Sequence, residues 1–307
     1  MTAIEATPDV RAEVRAFYDS IGWQQIGDGL YQNAGNEDLR PVARDYIRRC
    51  HRRVRRHIPP KGKFLLDAGS GPIQYPEYLE YSEGYDRRVC LDLSRRALSE
   101  ARLRIGDHGL FVLGDLSALP FRRDSFDGVV SLHALQHVPA LEQEAALAEL
   151  VRVAAPGRSA AVVYSWGEAS GLMAAFRPLL ALVSALRALR LRFLGKTAPR
   201  AHRSDRPLRE GLSFRQDFEW MVDTLGRLGG GEILVWRSVS TAFLRTLVHP
   251  RLMGRGLLRL VFSLEESAPH WFGRHGMYPL VVLRRPGAEP SPAEGIAESR
   301  FVPEGNA

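Results

Sequence analysis

The stretch KFLLDAGSG, residues 63–71, decides the fold. Phe64, Leu65 and Leu66 make an apolar run too short for a helix, and it breaks at Gly69 and Gly71. A run of this kind reads as a buried strand with its exit turn. Glycines at such a turn let the backbone bend sharply and approach a ligand, with the N-terminus of the next helix facing the ligand's negative group. The turn alone does not identify that ligand. Dinucleotide-binding folds use a related one, but here the third glycine of GxGxxG would fall at Gln74.

Downstream the alternation continues. RRVCLDLS (87–94) is a second buried run, ending at Asp92, and SRRALSEARLRI (94–105) is helical with Ser94 or its neighbour as its N-cap. GLFVLGDL (109–116) and FDGVVSLHAL (126–135) are the third and fourth strands. EQEAALAELVRVA (142–154) is an amphipathic helix closed by Pro156-Gly157, and SAAVVYSW (159–166) is the fifth strand. DFEWMVDTLGRLG (217–229) adds a helix, and EILVWRSVS (232–240) and MYPLVVLRR (277–285) add two last strands. Strands alternating with helices predict an α/β protein with a doubly wound, seven-stranded, mostly parallel sheet.

Two stretches interrupt this order and read as helical insertions. Residues 167–206 carry Leu179, Leu182, Val183, Leu186, Leu189 and Phe193 at helical spacing, edged by Arg187 and Arg190. Residues 241–276 carry Phe243, Leu244, Leu247, Leu257, Leu260 and Phe262. Upstream, residues 9–24 read as a short helix, and Pro41 opens another. There Val42, Tyr46, Cys50 and Val54 share one face, Arg44, Arg48, Arg52 and Arg55 take the other, and Pro59-Pro60 ends it.

At 307 residues and 45% apolar composition the chain can bury a full core and reads as one enlarged domain. The start has no basic-then-apolar leader pattern, and no run of about 18 uncharged apolar residues occurs, so a cytoplasmic protein without a spanning helix is expected. Cys50 and Cys90 lack metal-ligand or CxxC spacing and read as inert core thiols, and no metal site is expected. The net charge of +7 is uneven: residues 40–61 sum to +8, residues 166–206 to +6, and the remainder to −7. Such basic regions admit acidic partners, nucleic acid or anionic lipid among them, while the plainer reading is arginine solvating two helices.

Three further runs do not follow from fold rules: Gly114-Asp115-Leu116, Leu119-Pro120-Phe121 and Phe126-Asp127-Gly128-Val129-Val130. Together with Asp67/Gly69/Gly71, Asp92, His137-Val138, and Arg152-Val153 followed by Pro156-Gly157, they resemble the class I S-adenosylmethionine-dependent methyltransferases of the type 11, or UbiE-like, group. The likeness covers about residues 60–166. It implies a Rossmann-like fold with S-adenosyl-L-methionine as cofactor. By that resemblance Asp67 holds the methionine amine, and the backbone at Gly69 and Gly71 passes beside the methionyl part. Asp92, with Leu93 beside it, takes the ribose hydroxyls, and Asp115 accepts the adenine amine with Leu116 flanking the ring. A helix N-cap is the structural alternative for Asp115. Pro72 and Ile73 depart from the group's common third glycine. FYDSIGW (17–23) and Tyr31 resemble the group's N-terminal lid, so Tyr18, Trp23 or Tyr31 either covers the cofactor or belongs to an aromatic core. The division that follows is 1–60 for N-terminal helices and lid, 61–286 for the core with its insertions, and 287–307 for a disordered tail.

A sulfonium is an activated methyl donor, so aligning the acceptor can supply about 7–11 kcal/mol of the barrier in favourable cases. A general base adds about 10²–10⁴-fold when a hydroxyl must lose its proton. His133 and His137, after the fourth strand, are the catalytic candidates, and a spacing of four puts both on one face of a helical turn with Glu168 near enough to orient one. Packing and capping of the next loop is the alternative role for His137. The leading expectation is O-methylation of a small or lipid-linked metabolite, with the insertions forming its pocket and touching a membrane surface. C-methylation of a quinone-like ring is the runner-up. RNA methylation is disfavoured, because residues 131–134 read Ser-Leu-His-Ala where amino-directed nucleobase enzymes carry N/D-P-P-Y/F. A non-catalytic S-adenosylmethionine-binding scaffold is a further alternative. The acceptor and the oligomeric state have no signature in the sequence.

Overall fold

The computed structural model describes residues 10–27, 30–194, 212–251 and 253–285. Helix α1 (Val10–Phe17) runs into a π-helical turn at Tyr18–Gly22, then into an antiparallel ribbon of β1 (Gln25–Gly27) and β2 (Leu30–Tyr31). After α2 (Arg44–Arg52) come β3 (Gly62–Ala68), α3 (Pro76–Leu79), β4 (Tyr85–Asp92), α4 (Arg95–Ile105), β5 (Gly109–Leu113) and β6 (Gly128–Leu132). Next are α5 (Gln143–Val153), β7 (Ser159–Val163), α6 (Gly171–Phe193), α7 (Phe218–Arg227) and β8 (Gly231–Arg237). The chain closes with α8 (Thr241–Leu247), α9 (Gly254–Ser267), α10 (Pro269–His275) and β9 (Tyr278–Arg284).

The seven long strands form one sheet in the order β5-β4-β3-β6-β7-β9-β8, parallel through β7, with β9 antiparallel to both neighbours. This is the predicted doubly wound, mostly parallel sheet. Because helices cover both faces, its strands are apolar on both. Successive residues split between two cores: Leu66, Val89, Leu91 and Val129 pack with Leu147 and Leu150 of α5. Leu65, Cys90 and Val130 pack on the opposite face with Leu98 and Ala101 of α4. Ser94 caps α4 as predicted, its Oγ accepting from Ala97 N at 3.0 Å. Both cysteines are buried free thiols.

Helix α2 begins at Arg44, after a turn at residues 41–43, and buries Val42, Tyr46, Cys50 and Val54 as its periodicity requires. The arginines beside that face meet acids within the protein. Arg48 pairs with Glu77 at 2.9 Å, and Arg52 and Arg55 pair with Glu80 at 2.7 and 3.0 Å. Arg53, buried, pairs with Glu265 at 3.0 Å and Glu266 at 2.9 Å of α9. Much of the first basic run is thus answered internally.

The first insertion forms the long helix that its spacing predicts. By length and composition α6 is long and apolar enough to cross a membrane, although Arg177 and Arg187 keep it from being an uncharged run. Its first turns, Leu172, Met173 and Phe176, pack against Phe243 and Leu244 of α8 and Leu258 of α9. From Leu179 on, Leu179, Leu182, Leu186 and Leu189 face outward. The rest of the first insertion and the tail at 287–307 lie outside the described residues.

Candidate functional site

The loops at the carboxyl ends of β3 to β7 converge on a cavity of about 810 Å³, within the usual range for small-molecule sites. It lies where strand order reverses between β3 and β6, the switch point at which open α/β sheets bind ligands. The cavity has two chemically different halves.

The first half is the glycine turn and the ends of β4 and β5. Gly69 and Gly71 have φ of +75° and +54°, which glycine adopts without strain. A Cβ on Gly71 would sit 3.0 Å from the Trp23 ring. Ile73 keeps a left-handed backbone too (φ +53°), although it is buried and β-branched. The turn therefore holds its shape without the third glycine, at a residue type that resists it. Asp92 accepts Gly71 N at 2.8 Å on Oδ2 and Ser94 N at 2.9 Å on Oδ1. Burial, with added repulsion from Asp67 and Asp19, outweighs those two donors and pushes its carboxyl up to about 6. Leu93 and Leu116 line the cavity beside Asp92 and Asp115.

Asp67 and Asp115 are more committed than the sequence indicates. Asp67 Oδ2 accepts twice from the buried Arg88, Nε at 3.2 Å and Nη2 at 2.5 Å, leaving Oδ1 for any ligand. Asp115 Oδ1 accepts from Ser117 N and Oγ, both at 2.9 Å, and Oδ2 takes Arg11 Nε. It caps a turn and no helix follows it. Arg11, on α1, also reaches Glu142, so it ties the N-terminal segment over this end; nothing in the local sequence marks it.

Tyr18 and Trp23 close the cavity from the N-terminal side and stack at 4.9 Å between ring centroids. Tyr31 does not line it: the ring is buried edge-on against Trp23 at 6.3 Å, with its hydroxyl donating to Glu100 at 3.0 Å. Of the three aromatic candidates, two cover the cavity and Tyr31 is core.

His133 and His137 both line the cavity but do not share a helical face. His133 has φ of +56° and ends β6, and the short 3₁₀ turn Leu135–His137 starts after it, so no common helix phases them. The His133 ring stands edge-on to Trp236 at 4.8 Å and Tyr278 at 5.6 Å, and its nitrogens bond no described residue. Burial, with Arg237 and His51 nearby, lowers it to about 3. His137 Nδ1 lies 2.8 Å from Leu212 O, which requires Nδ1–H, so Nε2 accepts the Tyr18 hydroxyl at 3.0 Å. Burial lowers this ring to about 4 despite the Leu212 bond. No hydrogen bond links exposed Glu168 to either histidine among the described residues.

The second half was not foreseen. Glu37, from the loop before α2, and Arg237, at the end of β8, reach the cavity with 6% and 2% exposure. His51 of α2 bridges Glu37 Oε1 at 3.3 Å and Glu77 at 3.2 Å. Burial alone would raise Glu37, but His51 and Arg237 hold it at about 2. Burial opposes charge on His51, and the two carboxylates overcome it and raise its pKa. The signal available in sequence was a lone arginine ending an apolar strand; Glu37 had none.

Several cavity-lining polar atoms are buried without a hydrogen-bond partner among the described residues, Trp23 Nε1, Gln136 Oε1 and Ser213 Oγ among them. Such atoms call for a polar ligand. An acid among backbone donors, a tight glycine turn and unpartnered polar atoms in one cavity fit a molecule with ribose, amino-acid and base parts. Among the described residues no cluster of three metal-binding side chains occurs.

Comparison with known proteins places residues 66–162 on a family model described as a methyltransferase domain. Over 115 residues the chain is 35% identical to phthiotriol/phenolphthiotriol dimycocerosates methyltransferase 1 of Mycobacterium ulcerans, covering 37% of this chain and 41% of that one. Over 98 residues it is 38% identical to the demethylmenaquinone methyltransferase of Renibacterium salmoninarum, covering 31% and 38%. The chain thus spans about two fifths of the length of the curated relatives it matches. A solved structure of phosphoethanolamine N-methyltransferase 2 of Haemonchus contortus with S-adenosyl-L-methionine superposes with a TM-score of 0.51 at 15% identity, over 89% of this chain and 60% of that one. At that identity the likeness is one of fold.

Proposed function

We propose, from the premise that the chain carries a class I S-adenosylmethionine-dependent methyltransferase domain of the type 11 group at residues 66–162, that the whole protein methylates a small or lipid-linked acceptor on oxygen. The observation that carries this is one continuous cavity holding both the Asp92 glycine-turn half and the His133 half. Bound S-adenosyl-L-methionine supplies an activated methyl group, so orientation provides much of the rate. In this reading Asp92, with Leu93 beside it, receives the ribose hydroxyls, and the Gly69 and Gly71 backbone lies along the methionyl part. Asp67 offers Oδ1 to the amine, and Asp115 and Leu116 border the adenine. His133, neutral at pH 7 with unengaged nitrogens, takes the proton from an acceptor hydroxyl, though at about 3 it is a weak base. His137 holds Tyr18 and so positions the cover.

The test is transfer of labelled methyl groups from S-adenosylmethionine to fractionated metabolites. His133→Ala is expected to lower kcat about 10²-fold with KM for S-adenosylmethionine unchanged. His137→Ala is expected to raise that KM several-fold by freeing Tyr18, with a smaller loss in kcat. Full activity of His133→Ala contradicts the oxygen-directed reading. The aromatic surround of Trp236 and Tyr278 favours one alternative, methylation of a ring carbon, and a carbon-bound methyl in the product would establish it.

Helix α6 supports a lipid-linked acceptor and work at the cytoplasmic face of a membrane. Leu179, Leu182, Leu186, Leu189 and Phe193 recur every three or four residues and are 43%, 57%, 57%, 50% and 83% exposed. Arg177, Arg187, Arg190 and Arg192 accompany them, with no acid between Gly171 and Phe193. An apolar stripe flanked only by cations suits the boundary of an anionic bilayer, where arginine stems lie along the apolar layer and their heads stay wet. Two copies packed through this stripe would set arginines against arginines. Reversing Arg187 and Arg190 to glutamate is expected to cut co-sedimentation with phosphatidylglycerol vesicles by about tenfold or more, at about 1 kcal/mol per cation. Unchanged sedimentation would remove the membrane contact.

A further inference from the structure

We infer that Glu37 and Arg237 form a head-group subsite selective for a neutral, hydroxyl-bearing acceptor over a carboxylate or phosphate. This rests on the methyltransferase reading, since the subsite is the acceptor half of the same cavity.

The first argument is unmet hydrogen bonding. Arg237 Nη1 reaches Glu37 Oε1 only at 3.4 Å, and Arg237 Nε has no partner. Glu37 Oε2, 3.3 Å from His51 Nε2, and the Tyr75 hydroxyl, both buried, make no well-aligned hydrogen bond among the described residues. All three side chains line the cavity. Each buried polar atom left unpaired costs about 1–3 kcal/mol, so the pocket favours a group that fills them. The carboxylate needs a donor and the guanidinium needs an acceptor. A hydroxyl is both.

The second argument is charge. The charged side chains that line this half, Glu37 and Arg237, are opposite in sign, so the pair that meets a head group is already neutral. A carboxylate or phosphate entering it would be a second anion beside Glu37 in a poorly solvated place, and such charges are strongly disfavoured. A neutral head adds hydrogen bonds without adding charge.

The third is rigidity. The Arg237 guanidinium lies over the Tyr278 ring at 4.5 Å and near Trp236 at 5.3 Å, contacts that hold it in place. The same two rings touch His133, so a hydroxyl held at Glu37 and Arg237 shares its walls with the proposed proton acceptor. Hydroxylated rings, polyols and hydroxy-carbonyl heads meet these requirements.

The test is calorimetry on the full chain saturated with S-adenosylhomocysteine, using hexylcatechol and hexylbenzoate, which share a tail and differ in head charge. Hexylcatechol is expected to bind about tenfold tighter or more, a difference of about 1.4 kcal/mol. Glu37→Gln should abolish that preference, whereas Arg237→Met, which leaves Glu37 unanswered in the cavity, should weaken hexylcatechol and keep the carboxylate the poorer ligand. Tyr75→Phe removes one unpaired hydroxyl and no charge. It should weaken hexylcatechol about three- to tenfold and leave hexylbenzoate alone, the size of one neutral hydrogen bond. This variant decides the matter if the charge variants fail to fold. Equal or tighter binding of hexylbenzoate, or an unchanged preference in Tyr75→Phe and Glu37→Gln, overturns the subsite. If S-adenosylhomocysteine itself does not bind, the methyltransferase reading falls instead, and the preference of the free protein between the two probes then decides the subsite.

Discussion

Arg88→Met is expected to destabilise the protein by about 3–5 kcal/mol, the usual consequence of stripping one partner from a buried ion pair. Arg88 lies on β4 with no exposed surface. Besides its two bonds to Asp67 it donates Nη1 to Tyr78 O at 2.5 Å. Without it the Asp67 carboxylate stays buried at the end of β3 with no counter-charge, and the Tyr78 carbonyl loses its donor. The double variant Asp67→Asn/Arg88→Met should recover much of the loss, because replacing both charges of a buried pair is often close to neutral. Urea unfolding at neutral pH measures both. A single-variant loss below about 1 kcal/mol would mean that the pair is not the closed, buried contact described here. Cofactor affinity should fall in the single variant too, since Asp67 would shift within the turn that carries Gly69 and Gly71.

Asp92→Asn should make stability less dependent on pH while damaging function. The Asp92 carboxyl is raised to about 6 from an ordinary value of 3.8, so its ionised form is disfavoured by folding. The sign follows directly. Below the lower value the group is protonated in both states and costs nothing. As pH rises from the lower value to the upper one, the unfolded chain ionises first and stability falls. Above about 6 the full cost persists. Two units correspond to about 3 kcal/mol, and water reaching the carboxylate from the cavity lowers this to about 1–3 kcal/mol. Asparagine removes the charge, but its NH2 cannot accept from the second of the two backbone N–H groups, so the reading lies in the slope: relative to the variant, the wild type should lose a few degrees of melting temperature between pH 4 and pH 8. A difference in melting temperature that does not change between pH 4 and pH 8 would show that Asp92 is not strained by desolvation. Sites of this kind commonly trade stability for ligand binding.

The glycine-turn half of the cavity was legible because its demands are local. A strand that must end, a backbone that must turn with positive φ, and an acid beside the turn leave signatures at Gly69, Gly71 and Asp92 within a few dozen residues. The sheet was legible for the same reason, since strands buried on both faces read as short apolar runs. The arginine face of α2 was legible as periodicity, but not its partners, because Glu77, Glu80 and Glu265 come from other elements. The half around Glu37 and Arg237 was not legible. Glu37, His51, Tyr75, Arg237 and Tyr278 meet only in three dimensions, and each looks locally like loop or core. The histidine geometry was misread for a physical reason: His133 takes a left-handed backbone, which ends a strand and cannot start a helix. Helix α6 was legible as a helical insertion from the spacing of its leucines, although Arg177 and Arg187 keep it from reading as an uncharged run.

The central claim is that Asp92 receives the ribose of S-adenosylmethionine in its ionised form, and calorimetric titration of the wild type and Asp92→Ala across pH tests it most directly. The wild type should bind about tenfold more weakly at pH 5 than at pH 7, because a carboxyl near 6 must first give up its proton. Asp92→Ala should bind about a hundredfold more weakly than wild type at pH 7, having lost two charge-assisted hydrogen bonds, and should show no such slope. Equal binding by the two proteins, or no binding by either, would contradict the assignment.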